Sequence, residues 1–312
     1  MNCTADLRLP ACAAAVRCAM RRPWFILVLL AACAFPAKEQ SRPAWHEQRQ
    51  QPSDLEIGGD LAGLPPGSTR YVAREELLAL PQVSYTVSDD TNFKGPTQIA
   101  GVALDELAKQ VGAAPEAGTV IAICDDRYLA PYPPAYIAAH HPVLVLAVNG
   151  EPPERWPKAA DDGVSSMGPY MISNPKFTPA FQILAHSDEA QIPWGVVRIE
   201  FREEKAVLGA VAPHGPHASL TAVQDGFQIA AQNCFRCHNA DEEGGRKSGV
   251  SWEAIAALAA SSPRSFAAYV RAPLDQNAAA QMPGNPQYDE ATVNALSLYF
   301  QTFALPPTSP KP

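Results

Sequence analysis

Cysteine is scarce in this sequence, and its distribution limits what the thiols can do. The chain has 312 residues and 7 cysteines. Four of them lie near the N-terminus: Cys3, Cys12, Cys18 and Cys33. The other three, Cys124, Cys234 and Cys237, are too few to form a framework of structural disulfides. Structural cross-links therefore do not explain the cysteines of the main part of the chain.

Clusters of positive charge are also missing. The formal net charge is -8, the pI is near 5.4, and the Lys and Arg residues are scattered along the chain. Nucleic-acid binding needs a concentrated basic surface, so we expect no nucleic-acid partner. Proline outnumbers glycine, 31 to 19, and falls between apolar runs, which favours an irregular, loop-rich first domain.

The N-terminus has the pattern of an export signal. Met20 is followed by two arginines and a proline, then by the apolar run of residues 24–30 and by small residues. This apolar run is too short to span a bilayer as a permanent helix. We interpret residues 1–37 as a leader whose translation start is Met20, with residues 1–19 upstream of that start.

Cys33 ends this leader in the sequence Leu-Ala-Ala-Cys, which resembles the lipobox of bacterial lipoproteins. In such proteins the cysteine is acylated and becomes the mature N-terminus. The alternative is an ordinary signal peptide cut near Ala34 or Ala37. Each buried methylene group of an acyl chain strengthens membrane binding by roughly 0.8 kcal/mol. Lipidation at Cys33 therefore predicts a periplasmic protein that is anchored to a bacterial membrane.

The pattern after the leader predicts two domains. Residues 38–54 are polar and are expected to form a tether. Residues 55–203 alternate turns with short β-branched runs, which predicts a strand-rich domain of mixed α and β structure. The predicted strands are 83–87, 119–123, 143–148 and 195–201, and the predicted helices are 74–80 and 104–111. Residues 204–220, with His214 and His217, are expected to be a linker.

The last predicted domain, residues 221–306, has a different pattern. Apolar residues recur at helical spacing in four segments, residues 225–232, 252–259, 263–270 and 290–303. We therefore expect an all-α domain.

One motif in this helical domain carries chemistry. Cys234-Phe235-Arg236-Cys237-His238 is the attachment pattern for a covalent haem, in which two thiols bind the porphyrin edge and the next imidazole ligates iron. A zinc site would need a second pair of ligands downstream, and none follows. A thioredoxin-like pair would follow a strand in a βαβ unit, whereas this pair follows a helix. The motif predicts one haem c bound by Cys234 and Cys237 and ligated by His238.

Met282 is the candidate for the second axial ligand. It is the methionine downstream of the motif, in Gln281-Met282-Pro283-Gly284, just before the last predicted helix. A thioether suits haem iron, and a His/Met pair favours the reduced state and electron transfer. The alternative is a methionine that fills a gap in the core.

Residues 221–304 resemble a small class I cytochrome c domain. The resemblance rests on the helix that enters the Cys-x-x-Cys-His motif, the Met-Pro loop and the final helix. It implies that the first and last helices cross, with Gly226 and Phe227 near Leu296, Tyr299 and Phe300.

Residues 70–203 are similar to the molybdopterin-binding domain of the sulfite oxidase family. The similar stretches are 74–81, 101–107, 126–128, 145–152 and 194–200. In that family a cysteine after the Leu-Pro turn binds molybdenum, but the matching segment here, Thr86–Asp90, has none. Hydroxyl or carboxylate groups do not replace a soft thiolate. We therefore expect a degenerate relative without molybdopterin, and we expect Cys124 to be a buried apolar residue.

Together these patterns predict an exported monohaem cytochrome that transfers single electrons to periplasmic redox partners, with an accessory first domain. The alternative is a molybdenum oxidoreductase that passes substrate electrons to its own haem. A haem-based sensor with an open coordination site is a third possibility. His140, His141 and Met167 are conceivable ligands of another metal, but the histidine pair precedes Pro142 and a predicted strand, which favours a loop cap instead.

Overall fold

The computed structural model describes residues 44–178, 184, 186 and 188–304. The described residues belong to one compact unit. Its sheet-rich part comprises residues 55–202 and its helical part residues 221–304. Cys33 and the rest of the predicted leader lie outside the described residues. Among the helices that are described, none combines the length and the apolar character needed to cross a membrane.

Within the described residues, one nine-stranded sheet dominates the sheet-rich part. Its pairings are antiparallel except that between β1 and β9. The strands are Leu55–Gly59 (β1), Arg70–Val72 (β2), Val83–Val87 (β3), Thr97–Ala103 (β4), Thr119–Cys124 (β5), Leu129–Tyr132 (β6), Val143–Val148 (β7), Tyr170–Ser173 (β8) and Trp194–Arg202 (β9).

Strand β9 joins the parts of this sheet. Along one edge β9 pairs with β5, from Thr119↔Arg202 to Cys124↔Val196. Along the other edge its C-terminal half pairs with β1 and its N-terminal half with β8. From β8 the sheet continues through β7 and β4 to β3. Strands β5 and β3 are therefore far apart in the sheet order.

Three helices pack beside this sheet: Arg74–Leu78 (α1), Leu104–Val111 (α2) and Pro134–His140 (α3). Helix α2 buries Leu104, Leu107 and Val111, which share one face at helical spacing. Gly112 ends α2 with a left-handed φ of 70°, a conformation that glycine adopts without a steric penalty. A short 3₁₀ helix, Pro153–Arg155, follows β7.

The helical part contains five described helices and a small ribbon. The helices are Thr221–Asn233 (α5), Trp252–Ser261 (α6), Pro263–Arg271 (α7), Pro273–Gln276 (α8) and Glu290–Ala304 (α9), and the ribbon pairs Asn239–Ala240 (β10) with Glu243–Gly244 (β11). The expected all-α domain thus also carries a short β-ribbon. The described chain has a mixed structure of helices and a large sheet, as the sequence predicted at that level.

Helices α5 and α9 cross in close contact at Gly226. A Cβ atom on Gly226 would lie 2.1 Å from the carbonyl oxygen of Ala295, so only glycine fits this crossing. The ring centroids of Phe227 and Tyr299 are 5.8 Å apart. The expected proximity of Gly226 and Phe227 to the last helix is confirmed.

The two parts share a hydrophobic core. Ile121 on β5 and Leu129 on β6 are buried in the same cluster as Trp252, Leu296 and Phe300 of the helical part. The segment expected to be a linker adds to this cluster. It holds a helix, Glu204–Leu208 (α4), and a 3₁₀ helix, Gly209–Val211, whose apolar side chains face the shared core.

The described end of the predicted tether is also packed. Trp45 lies against the core of the sheet-rich part, and Asp54 is buried. The Asp54 carboxylate accepts hydrogen bonds from the backbone N–H groups of Gln50 and Gln51, at 2.7 and 2.9 Å. These bonds fix the polar segment that precedes β1, so the described end of the predicted tether is part of the sheet-rich part.

Candidate haem attachment site

The predicted attachment motif forms a tight turn at the end of helix α5. Cys234 is the C-cap residue of α5, and its carbonyl accepts from the N–H groups of Cys237 and His238, at 3.1 and 3.0 Å. Both thiols are free. The helical turn therefore carries two thiols and an imidazole in one short segment.

The imidazole of His238 is oriented by one hydrogen bond. Its Nδ1–H donates to the carbonyl oxygen of Val250 at 2.7 Å. A carbonyl can only accept, so Nδ1 carries the proton and the lone pair is on Nε2. Burial also lowers the pKa of His238, which favours the neutral ring. A neutral imidazole with a fixed Nδ1–H is the usual form of a histidine that ligates a metal.

Two glycines close the ribbon over the motif. Gly245 N–H donates to the Phe235 carbonyl at 2.8 Å, and a Cβ atom on Gly245 would lie 1.8 Å from the carbonyl oxygen of Arg236. Gly244 has a φ of 97°. Phe235 itself is fully buried against Trp252, with the ring centroids 6.0 Å apart. The glycines of the ribbon thus fix the motif on one side, and the packing of Phe235 on Trp252 fixes it on the other.

Met282 lies in the segment between α8 and α9 and is partly buried. That segment is fixed to the end of α7, because the N–H and the side-chain Nδ2 of Asn285 both donate to the Val270 carbonyl at 3.1 Å. Arg271 Nε donates to the Tyr288 carbonyl at 2.9 Å. Burial raises the pKa of Tyr288, which lies in the same hydrophobic cluster as Phe235 of the motif. The Met282 segment therefore reaches the motif at Tyr288.

The sheet-rich part contacts the motif through the turn between β5 and β6. Leu129 N–H donates to the carbonyl of Arg236 at 2.9 Å, inside the motif. Burial raises the pKa of the Tyr128 phenol, and the positive charge of Arg236 acts in the opposite direction. Lys247 Nζ lies 2.6 Å from Asp126 Oδ2. Sequence reasoning missed this contact, since the hydrogen-bonded residues are about a hundred positions apart and share no motif.

A second segment of the sheet-rich part, His186 with residues 188–191, contacts the end of α5. Glu189 N–H donates to Gln232 Oε1 at 3.0 Å, and Asn233 Nδ2 donates to the His186 carbonyl at 3.1 Å. The His186 ring lies 4.5 Å from that of Tyr288. The motif therefore lies between the helical part and two segments of the sheet-rich part.

The segment that would need a molybdenum-binding cysteine carries a buried acid instead. Asp90 follows β3 and accepts from Ser173 Oγ at 2.7 Å and from Asn92 N–H at 3.0 Å. Burial raises the pKa of Asp90. Cys124 ends β5, which is separated from β3 by β9, β8, β7 and β4. These donors do not fit a thiolate-bound molybdenum.

The remaining candidate ligands are not gathered into a site. His140 is buried, and its Nε2 lies 3.2 Å from both carboxylate oxygens of Asp188. His141 ends α3 with a φ of 48°, and Met167 is in the core on one face of the sheet. His214 and His217 are exposed. Over the described ranges, no cluster of three or more His, Cys, Asp or Glu side chains is arranged to hold a metal ion.

Comparison with known proteins gives little similarity. No family model matches the chain, and no curated protein matches it. Among solved structures, the chain is similar to the sulfane dehydrogenase SoxCD from Paracoccus pantotrophus, with 15% identity and a TM-score of 0.34. The match covers 55% of this chain and 45% of that chain. A similarity of this size defines neither a common fold nor a function.

Proposed function

We propose that the chain is a monohaem c-type cytochrome that transfers single electrons, with the sheet-rich part as an accessory module. The observation that carries this proposal is the hydrogen bond from His238 Nδ1 to the Val250 carbonyl. This bond leaves the lone pair of His238 Nε2 available to bind a metal ion. In the sequence His238 directly follows Cys237, the second of two free thiols. The finer fold proposal is a class I cytochrome c fold for residues 221–304 and a degenerate sulfite-oxidase-like fold for residues 55–203.

In this proposal each motif residue has a separate role. Cys234 and Cys237 would hold the haem covalently through thioether bonds, and His238 and Met282 would bind its iron. When bound, haem c takes up and releases one electron. The chain's own residues orient the imidazole and, through the packing of Phe235 on Trp252, fix the attachment segment to the core.

A thioredoxin-like dithiol is less consistent with this geometry. Reactive dithiols need a low thiol pKa, which a helix N-terminus favours. Here the pair follows the C-terminal end of α5, where the helix dipole disfavours negative charge. Burial raises the pKa of the Cys234 thiol to about 12. Both effects oppose a thiolate.

The test is to produce the protein in a bacterial periplasm with active haem attachment. A haem stain on a denaturing gel and a reduced-minus-oxidised spectrum should show one covalent haem per chain. The double variant C234A/C237A should lose it, while the control C124A should keep it. Absence of haem from the wild-type protein would refute the proposal, and molybdenum near one atom per chain would make the sheet-rich part an active site.

Met282 needs a separate measurement. M282A should change the low-spin spectrum and lower the reduction potential, because a thioether stabilises the reduced iron. The control M167L changes a methionine in the core of the sheet-rich part and should leave both unchanged. An unchanged M282A spectrum would instead favour a sensor with another sixth ligand or an open site.

The proposal also includes export and a lipid anchor at Cys33. Labelling cells with a radioactive fatty acid should mark the wild-type protein and not C33A. Label on neither protein would favour the ordinary signal peptide.

A further inference from the structure

We propose that Arg236 and Glu189 set the reduction potential of the haem in opposite directions, and that Tyr128 positions Arg236. Arg236 belongs to the helical part, while Glu189 and Tyr128 belong to the sheet-rich part. The inference rests on the proposed haem site, and it gives the accessory module a role in the chemistry of that site.

Arg236 carries a permanent charge at the centre of the motif. It lies between the two thiols, and its side chain is partly buried. Its guanidinium donates to Asn233 Oδ1 at 3.0 Å and to the Gln232 carbonyl. These bonds fold the side chain back along the motif instead of letting it extend into solvent. A guanidinium held there keeps its charge next to the attachment segment at every accessible pH.

Tyr128 is suited to hold this cation. Burial raises its pKa, so the phenol keeps its proton and adds no negative charge next to Arg236. The turn that carries Tyr128 is fixed to the motif by the bond from Leu129 N–H to the Arg236 carbonyl. Lys247 lies over the Tyr128 ring at 5.8 Å, and its own charge is paired with Asp126.

Glu189 supplies the opposing charge. Its backbone is fixed to Gln232 at the end of α5, and its Oε1 lies 3.1 Å from Nδ1 of His186. Its carboxylate is close enough to act electrostatically on both Arg236 and Cys234.

The sign of each effect follows from the charge of the iron. Oxidised haem has one more positive charge than reduced haem, so a nearby cation disfavours oxidation and raises the potential, and an anion lowers it. Partly buried charges are screened less than exposed ones. Arg236 should therefore raise the potential and Glu189 should lower it.

The experiment is a redox titration of the full-length, haem-loaded protein and four variants. R236Q should have a lower midpoint potential than wild type, and R236K, which keeps the charge, should stay close to wild type. E189Q should have a higher potential. The control R264Q removes an exposed charge on α7 and should shift the potential less than R236Q does.

Tyr128 is tested by Y128F, which should shift the potential in the direction of R236Q but by less, since the guanidinium keeps its charge and loses only the neighbouring phenol oxygen. A wild-type potential in R236Q, or a lower potential in E189Q, would overturn the inference. If R236Q fails to retain haem, E189Q decides the question alone. A wild-type protein without haem would refute the proposed function instead, so the two failures are distinct.

Discussion

The helical part and the sheet-rich part place their polar groups in different ways. In the helical part the proposed ligands Cys234, Cys237 and His238 occupy one turn outside an aromatic core. In the sheet-rich part, buried polar pairs such as His140–Asp188 and Asp90–Ser173 join residues 48 and 83 positions apart. The first arrangement is the one that we propose to bind haem, whereas the second connects distant segments. We infer that polar chemistry serves binding in one part and stability in the other.

The largest expected effect on stability is at His140. H140A removes a hydrogen-bonding partner from the buried Asp188 carboxylate and should reduce the free energy of unfolding by about 3–5 kcal/mol, measured by urea denaturation. The control H141N changes the exposed neighbour and should have little effect, because Asn tolerates the left-handed conformation.

The double variant H140L/D188L should recover much of that loss, since it removes both buried polar groups together. A small loss in H140A would contradict the structural role assigned to this pair.

A smaller loss is expected at the α5–α9 crossing. G226A adds a Cβ atom that would lie 2.1 Å from the Ala295 carbonyl oxygen. The two helices must therefore move apart, which should reduce the free energy of unfolding by about 1–3 kcal/mol. Thermal unfolding of G226A can be compared with G209A, where the new Cβ meets no atom and φ is -61°. Equal stability of the two variants would show that the crossing is loose.

Asp90 should make the stability depend on pH. Burial raises its pKa above the ordinary value of 3.8, so the folded protein binds this proton more tightly than the unfolded chain. Its contribution is fully present below pH 3.8 and is lost as the pH rises through the folded pKa. D90N should flatten the pH dependence of the free energy of unfolding between pH 3.8 and the folded pKa of Asp90. Denaturant titration at several pH values measures this dependence. The exposed control D275N should leave the slope as in wild type.

The smallest effect is expected at the junction between the two parts. The Lys247 and Asp126 side chains are 52% and 43% exposed, so their ion pair should contribute less than about 1 kcal/mol. K247A should therefore unfold almost as wild type does. A much larger loss would mean that the sheet-rich and helical parts depend on each other through this contact, which would weaken the distinction between them.

The strands and helices that the sequence predicted have uninterrupted apolar patterns. The strand at Val83–Val87, the helix at Leu104–Val111 and the strand at Val143–Val148 agree with the structure to the residue. Strand β4 was missed because Gly101 interrupts its apolar pattern, and a Cβ atom there would meet the Leu144 carbonyl at 2.0 Å. Strand β6 was missed because it contains Pro131, a residue rare inside strands.

The candidate site likewise has residues that the sequence predicts and contacts that it does not. The motif residues are contiguous, so their spacing alone predicted a common site. The contacts of Leu129 with Arg236 and of Glu189 with Gln232 were not predictable, because they depend on the docking of a turn and a loop onto the end of α5. No periodicity marks such residues. Contacts of this kind follow from the tertiary arrangement.

Strand β9 has a consequence for the synthesis of this chain. It is the last strand of the large sheet to emerge from a ribosome, yet it separates β5 from β1 and β8. A nascent chain that ends before Trp194 holds the β5–β6 hairpin, the β1–β2 pair and the β3-to-β8 group, but not the strand that unites them. Translation must therefore pass Arg202, close to the start of the helical part, before the sheet can close.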